Sequence, residues 1–266
     1  MLNIVIIIFL ILGFSVLWFY LIFTTYNKYR IRHLIKDTPT SKIRSAAIGL
    51  VELNGKVIAD KYLETPFSKQ NCVYYEYLKQ VFYRTDKSAG WRTLAHEKKH
   101  IDYYIYDDTG KIKVKADEVK YVVSPKIAKL VLAPRFSVKQ IFEILKNPII
   151  TPEQQGSIEN KEIKDIEIKN GKVNEFGYYY PGDLRIIERF LEPDNQVYVI
   201  GTLGNEDNSD QHIIKKGKYE KTCFVSDSSE EQILKKYNLE FILLLIVTII
   251  ITSLPLIYIL KLIISG

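Results

Sequence analysis

CVYYEYLKQVFYR, residues 72–84, carries five β-favouring aromatics and two valines in thirteen positions and reads as one long strand. Shorter runs of the same kind flank it. Residues 101–106 (IDYYIY) and 111–115 (KIKVK) face each other across Asp107-Asp108-Thr109-Gly110, a turn composition. Residues 119–123 and 128–132 follow as short strands. On the N-terminal side, 45–53 (SAAIGLVEL) and 56–63 (KVIADKYL) flank Asn54-Gly55, the strongest short hairpin signal, and are expected to form a hairpin. Strand signals resume at 173–180, 184–191 and 196–203, with Pro181-Gly182-Asp183 as the first turn, and again at 213–214 and 222–226. A helix is expected over 137–146, where Val138, Ile141, Phe142 and Leu145 share one face and Ser137 can cap. Another is expected over 228–238. Many short strands, regular turns and few helices predict a β-rich α+β domain, barrel- or sandwich-like.

The two ends are of another kind. Met1 to Asn27 contains no Asp, Glu, Lys, Arg or His, and Ile4 to Phe23 is an apolar stretch. Phe241 to Leu260 is a second uncharged stretch. At ~1.5 Å rise per residue, ~20 apolar residues span a ~30 Å hydrocarbon core. The first run lacks the basic leader and small-residue cleavage site of a signal peptide. Pro255 is tolerable in a membrane helix, and Trp18, Tyr20 and Tyr258 suit the interfaces. The expected layout is a transmembrane helix over 3–25, a β-rich domain over 40–238 with a polar excursion at 147–172, and a second transmembrane helix over 240–262. Lys28, Arg30, Arg32 and Lys36 follow the first run, and Lys235 and Lys236 precede the second. The positive-inside rule then puts the central domain in the cytoplasm and both termini outside. The same four residues, Lys28, Arg30, Arg32 and Lys36, are the candidate contacts to anionic headgroups.

Composition narrows the partners. The chain carries 37 basic and 31 acidic residues; setting aside Lys261 leaves a net of +5 in 28–240. That mild excess is not the footprint of a nucleic-acid binder. Two cysteines, Cys72 and Cys223, exclude a disulfide scaffold; both lie in apolar strand contexts and read as buried thiols, with a single bridge between them left open.

His96-Glu97-Lys98-Lys99-His100 matches the H-E-x-x-H string. On a helix it would place His96 and His100 on one face as zinc ligands, with Glu97 as the general base of a metallopeptidase. The flanks lack a helical apolar pattern, the two lysines are poor neighbours for a divalent metal, and no third ligand is marked. A charged, solvated connection is the expected reading, with no metal and no cofactor. Asp108-Thr109-Gly110 resembles an aspartic-protease triplet, but reads as a turn. There is no nucleophile elbow, P-loop or dinucleotide fingerprint.

The order of features resembles a known family. After the first apolar run come Ala46-Ala47-Ile48-Gly49-Leu50-Val51, the step Thr65-Pro66-Phe67-Ser68, a Cys-Val-Tyr-Tyr-Glu strand from Cys72, Trp91, a strand ending Asp107 to Gly110, Glu175 followed by Pro181-Gly182-Asp183, the strand Val197 to Gly201, and Ser226-Asp227-Ser228-Ser229 before the last run. This resembles the GIDE, or "beside a membrane", domain. That domain is the inter-span part of the MULAN/MAPL-type mitochondrial E3 ubiquitin ligases. The resemblance implies a two-span architecture and kinship to RING-type ubiquitin transferases. In those ligases a RING finger follows the second span, binding two zinc ions with four Cys or His ligands each. The chain stops at Gly266 with 2 Cys and 4 His, so no RING is expected. The inter-span domain of those relatives faces the intermembrane space, whereas the basic flanks here point to the cytoplasm.

The expected function is therefore a membrane-anchored binding or scaffold module, with the lipid bilayer and an unidentified protein as partners. Tyr178, Tyr179, Tyr180, Pro181, Gly182 and Asp183 are the candidate binding surface, competing with plain turn and core roles. The alternatives are the zinc peptidase and a ligase component acting with a RING in trans.

Overall fold

The structure is a computed structural model that describes residues 2–133, 163–169, 171–174, 177–205 and 212–265, with side chains from 12 to 253 within those ranges. It opens with helix α1 (Leu2–Asp37). Strands β1 (Thr40–Ser41), β2 (Gly49–Ile58), β3 (Leu63–Glu64), β4 (Asn71–Cys72), β5 (Tyr74–Arg84) and β6 (Ala89–His100) follow. Next come β7 (Tyr103–Tyr106), β8 (Lys111–Val114), β9 (Lys120–Val122), β10 (Ile127–Val131), β11 (Ile163–Asp165), β12 (Ile168–Lys169) and β13 (Lys172–Val173). The last strands are β14 (Leu184–Leu191), β15 (Gln196–Asn205), β16 (His212–Lys215) and β17 (Phe224–Ser226), before helix α2 (Glu230–Ser265).

Five strands close on themselves. The order runs β2–β7–β8–β16–β15 and returns through the β15–β2 pairing. All neighbours are antiparallel except β8 and β16, which run parallel. This is a five-stranded barrel with the strand order and directions of an OB-fold. Inward residues alternate along each strand: Leu53 and Val57 from β2, Ile105 from β7, Val114 from β8, Val199 from β15 and Ile214 from β16 fill the interior. β15 is apolar at nearly every position because it is covered twice. Val197 and Val199 face the barrel interior, while Tyr198 and Ile200 face out beneath the helices, against Ile35, Ile233 and Tyr237.

Two insertions build a second sheet, β11–β10–β14–β5–β6, antiparallel throughout. The β5–β6 hairpin interrupts the barrel between β2 and β7. β10 to β14 interrupt it between β8 and β15. The strand expected at 72–84 is thus present, but it belongs to this second sheet rather than to the barrel.

Several expectations need correction. Asn54-Gly55 is not a hairpin turn; both residues sit inside β2, and the strand continues through them. Gly55 is required there because a Cβ would stand 2.8 Å from the Tyr106 carbonyl oxygen on the neighbouring strand, and only hydrogen leaves room. The run 173–180 is not a strand: β13 ends at Val173, and 177–180 lies outside any strand. Within or beside the expected polar excursion, 163–165 joins the second sheet and 168–169 pairs with 172–173. The helix expected at 137–146 lies outside the described residues. Cys72 and Cys223 are both free and buried, in different core clusters, so no bridge joins them. Burial pushes each thiol up to about 12, which keeps them protonated and unreactive.

α1 and α2 pack side by side and antiparallel. Thr25 meets Thr248 at 3.4 Å, Lys28 pairs with Glu240, and Tyr29 lies against Phe241. Both threonine hydroxyls also donate back to carbonyls four residues earlier, Leu21 and Leu244, so the seam holds hydroxyls without unpaired protons. The outward faces are apolar: Val16, Phe19, Phe23, Leu243 and Ile249 are each more than half exposed. Among the described residues, however, no helix is long and apolar enough to cross a membrane.

Candidate binding surfaces

The turn at Pro181-Gly182-Asp183 is the best-built of the expected sites. Gly182 has φ +93°, a conformation that L side chains rarely adopt. Its N–H donates to the Phe82 carbonyl at 2.9 Å, and the Phe82 N–H donates to the Asp183 carbonyl at 2.8 Å, so the turn is sewn to the end of β5. Asp183 is fully buried. Its carboxylate accepts from the backbone N–H of Ala133 and of Tyr180, each at 2.8 Å. Asp183 is therefore a structural anchor, and the neighbouring tyrosines split. Tyr179 packs against Trp91 and Phe82, with ring centroids 5.0 and 5.6 Å away. Tyr178 is 95% exposed and Tyr180 half exposed. The exposed part of this candidate is thus Tyr178, Tyr180 and Pro181, beside the Phe82–Trp91–Tyr179 cluster. Trp91 and Phe82 were not legible as part of this site, because β6 and β5 bring them to Tyr179 from about ninety residues upstream.

The H-E-x-x-H string lies on a strand, β6, and not on a helix or in a charged connection. In a strand, residues four apart share a face but stand ~13 Å from each other. His96 hydrogen-bonds to Glu76 at 2.7 Å, while the His100 ring stacks toward Tyr121. Glu97 takes the opposite face and accepts from the Tyr75 and Tyr77 hydroxyls. The Lys99 ammonium, and then the two tyrosines, hold its carboxyl below the usual range. A Glu97 locked as an acceptor cannot serve two distant histidines, and among the described residues no group of His, Cys, Asp and Glu gathers for a metal.

The basic residues expected at a membrane surface mostly face the protein. Lys28 pairs with Glu240 and lies over the Tyr237 ring; Arg32 lies over Phe241; Arg30 reaches Glu220 at 3.7 Å. Lys36 is exposed. The cluster therefore ties α1 to α2 and to the loop before it, in addition to any role toward headgroups.

Two buried acids escaped the sequence reading. Glu188 is 1% exposed and accepts from the Phe67 and Ser68 N–H groups at 2.9 and 3.0 Å, clasping the Thr65-Pro66-Phe67-Ser68 turn. Glu52, equally buried, accepts from the Tyr198 hydroxyl at 2.6 Å and from Thr40, at the seat where the helices meet the barrel. Burial raises its carboxyl, and the two donors only partly offset that. Neither carries a sequence signal, since a single Glu in a strand normally faces water.

Asp108-Thr109-Gly110 forms the turn read from the sequence, and Asp107 fixes it. It accepts from Thr109 N–H and hydroxyl, from Gly110 N–H and from Ile43 N–H, fixing the turn and the 3₁₀ segment before β2. Burial alone would raise its carboxyl, but these bonds outweigh burial and lower it from 3.8 to about 2. A depressed folded-state value means stabilisation that is complete above pH 3.8 and lost as pH falls toward about 2. Asp107→Asn is expected to lower the thermal unfolding temperature above pH 3.8 and to flatten its decline below. An acid titration of unfolding in both proteins checks this; parallel curves would reject it.

No curated protein and no solved structure matches the chain. Residues 161–257, from the second insertion through β15–β17 into α2, match the family model GIDE, described as E3 ubiquitin ligase.

Proposed function

We propose that this chain is a membrane-anchored binding module of GIDE type, related to the part of E3 ubiquitin ligases that lies outside the RING. In this reading α1 and α2 cross the bilayer as an antiparallel hairpin, with 28–240 on the cytoplasmic side. The observation that carries it is the outward surface of the helix pair. A helix packed on a soluble domain shows water a polar face, whereas here the solvent-facing positions are Val16, Phe19, Phe23, Leu243 and Ile249. Such a contiguous apolar surface is at home in lipid. The uncharged sequence runs 4–23 and 241–260 continue beyond the described side chains toward the two ends of the chain. The polar contacts, Lys28 with Glu240 and Arg30 with Glu220, sit at the barrel end of the pair. Tyr178, Tyr180 and Pro181 are the surface offered to a protein partner.

Alkaline carbonate washing is expected to leave the protein in the membrane pellet, and its release would refute the anchoring. For orientation, Ser88 lies exposed at the β5–β6 tip, and both native thiols are buried. Ser88→Cys is expected to react with an impermeant thiol reagent only after the cells are opened. Labelling of intact cells would invert the topology.

The family description favours one further reading, a ligase component whose RING acts in trans. It requires a RING protein that co-purifies in mild detergent, and its absence would leave the binding module alone.

A further inference from the structure

The loop between β16 and β17 reads Lys216-Gly217-Lys218-Tyr219-Glu220-Lys221-Thr222-Cys223. Tyr219 is 90% exposed, and the Lys218 ammonium lies 5.7 Å from the centre of its ring. Lys218 and Lys221 are exposed as well. The loop is not slack. The Gly217 N–H donates to the Glu220 carbonyl at 3.0 Å, and the Thr222 N–H donates to the Glu220 carboxylate at 2.8 Å. The segment therefore closes on itself, with Lys218 and Tyr219 at its bend. The Lys216 N–H donates to the Glu118 carboxylate at 3.0 Å, which ties the start of the loop to the 3₁₀ segment after β8.

The position of the loop matters as much as its composition. Arg30 of α1 reaches the Glu220 carboxylate at 3.7 Å and donates to the Thr222 hydroxyl at 3.4 Å. Ile31, Leu34 and Ile35, which pack α1 on the barrel, all lie further from the uncharged run than Arg30 does. Arg30 stands seven residues past Phe23, ~10 Å along the helix axis. A headgroup layer takes up ~5–7 Å of that distance. The loop then stands within one screening length, ~8 Å, of the lipid phosphates. Glu220, the acid of the loop, faces Arg30 and Thr222, so the outward charges are Lys218 and Lys221. A single exposed tyrosine is ordinary. A tyrosine set between lysines, at the edge of the domain nearest an apolar helix run, has the composition of a membrane-interface anchor. Lysines so placed are drawn to an anionic leaflet.

We propose that the β16–β17 loop is a second membrane contact, with Tyr219 seated at headgroup level and Lys218 and Lys221 bound to anionic lipid headgroups of the bilayer that α1 and α2 cross. This rests on the anchoring reading and goes beyond it. The β-rich domain does not swing freely on the helix pair but is docked on the membrane surface at this edge.

A tryptophan placed at the bend reports the contact. The full chain carrying Trp18→Phe and Tyr219→Trp is reconstituted into nanodiscs whose lipids carry bromine near the headgroup, in phosphatidylcholine with or without phosphatidylglycerol. The Trp18→Phe parent supplies the Trp91 background, and quenching beyond it comes from the new indole. Extra quenching is expected with phosphatidylglycerol, reduced by added salt and weak in neutral lipid. Adding Lys218→Gln and Lys221→Gln together is expected to move the contact equilibrium roughly 25-fold toward the free loop, about fivefold per lysine, with thermal unfolding unchanged. Protein that enters the discs without extra quenching, quenches equally in neutral lipid, or keeps its quenching in the double lysine variant overturns the loop contact and leaves the anchoring standing. Protein that elutes apart from the discs on size exclusion overturns the anchoring, and the loop contact with it.

Discussion

Asp183→Ala is expected to cost about 3 kcal/mol of stability. The carboxylate is fully buried and satisfies the N–H groups of Ala133 and Tyr180. Its removal strands both donors, at about 1–3 kcal/mol for each partner left unpaired in a buried site. The turn it closes also holds Gly182 at positive φ and carries the Phe82–Asp183 backbone pair, so loss of the anchor frees the whole Tyr178–Asp183 segment. Asp183→Asn keeps one acceptor oxygen and is expected to cost roughly half as much. Chemical unfolding of the full chain in mild detergent measures both. A cost below about 1 kcal/mol for the alanine variant, within the ordinary range of surface substitutions, would show that the turn stands without its carboxylate. The result bears on function too: it separates Asp183, a structural residue, from Tyr178, whose ring is 95% exposed.

Glu188→Ala is expected to cost a similar amount, about 3 kcal/mol. Glu188 clasps the turn at 65–68 through the Phe67 and Ser68 N–H groups. The other hydrogen bonds of that turn run within the loop, between Thr65 and Ser68, Lys69 and Gln70, while Phe67 packs on Tyr77 and Lys69 sits at φ 57°. Glu188→Gln keeps one acceptor but points an amide donor at a backbone donor, so it is expected to fall between wild type and alanine. Glu97→Gln serves as the control, because the Glu97 side chain is 37% exposed against 1% for Glu188, and its bonds are worth less there. If the Glu97 change costs as much as the Glu188 change, burial is not what gives Glu188 its weight. Increased proteolysis at 65–70 in the Glu188 variants would locate the damage at the loop.

The comparison of sequence and structure turns on range. Local signals held: the aromatic strand from Tyr74 to Arg84, the hairpin turn at Asp107–Gly110, the strands at 184–191 and 196–203, the latter running on to Asn205, and the helix entered at Glu230. Asn54-Gly55 misled because the same glycine that suits a turn also suits a crowded strand, and crowding by Tyr106 is a contact fifty residues away. The H-E-x-x-H string carried its residue types correctly and its backbone wrongly. Spacing of four brings side chains together on a helix and separates them on a strand.

By itself the sequence determined the kind of material at each position: two uncharged ends, a β-rich middle, two thiols in apolar strand contexts, and no dense basic field. These follow from side-chain chemistry and short-range periodicity, which need no partner to be read. Tertiary structure alone decided that β2 and β15 close a barrel across about 140 residues of chain, that Glu52 and Glu188 lie inside, and that Arg185 stacks on Trp91. Those outcomes depend on which strands pair and which face each strand buries. Pairing is set by the packing of the whole core, and no local window contains it.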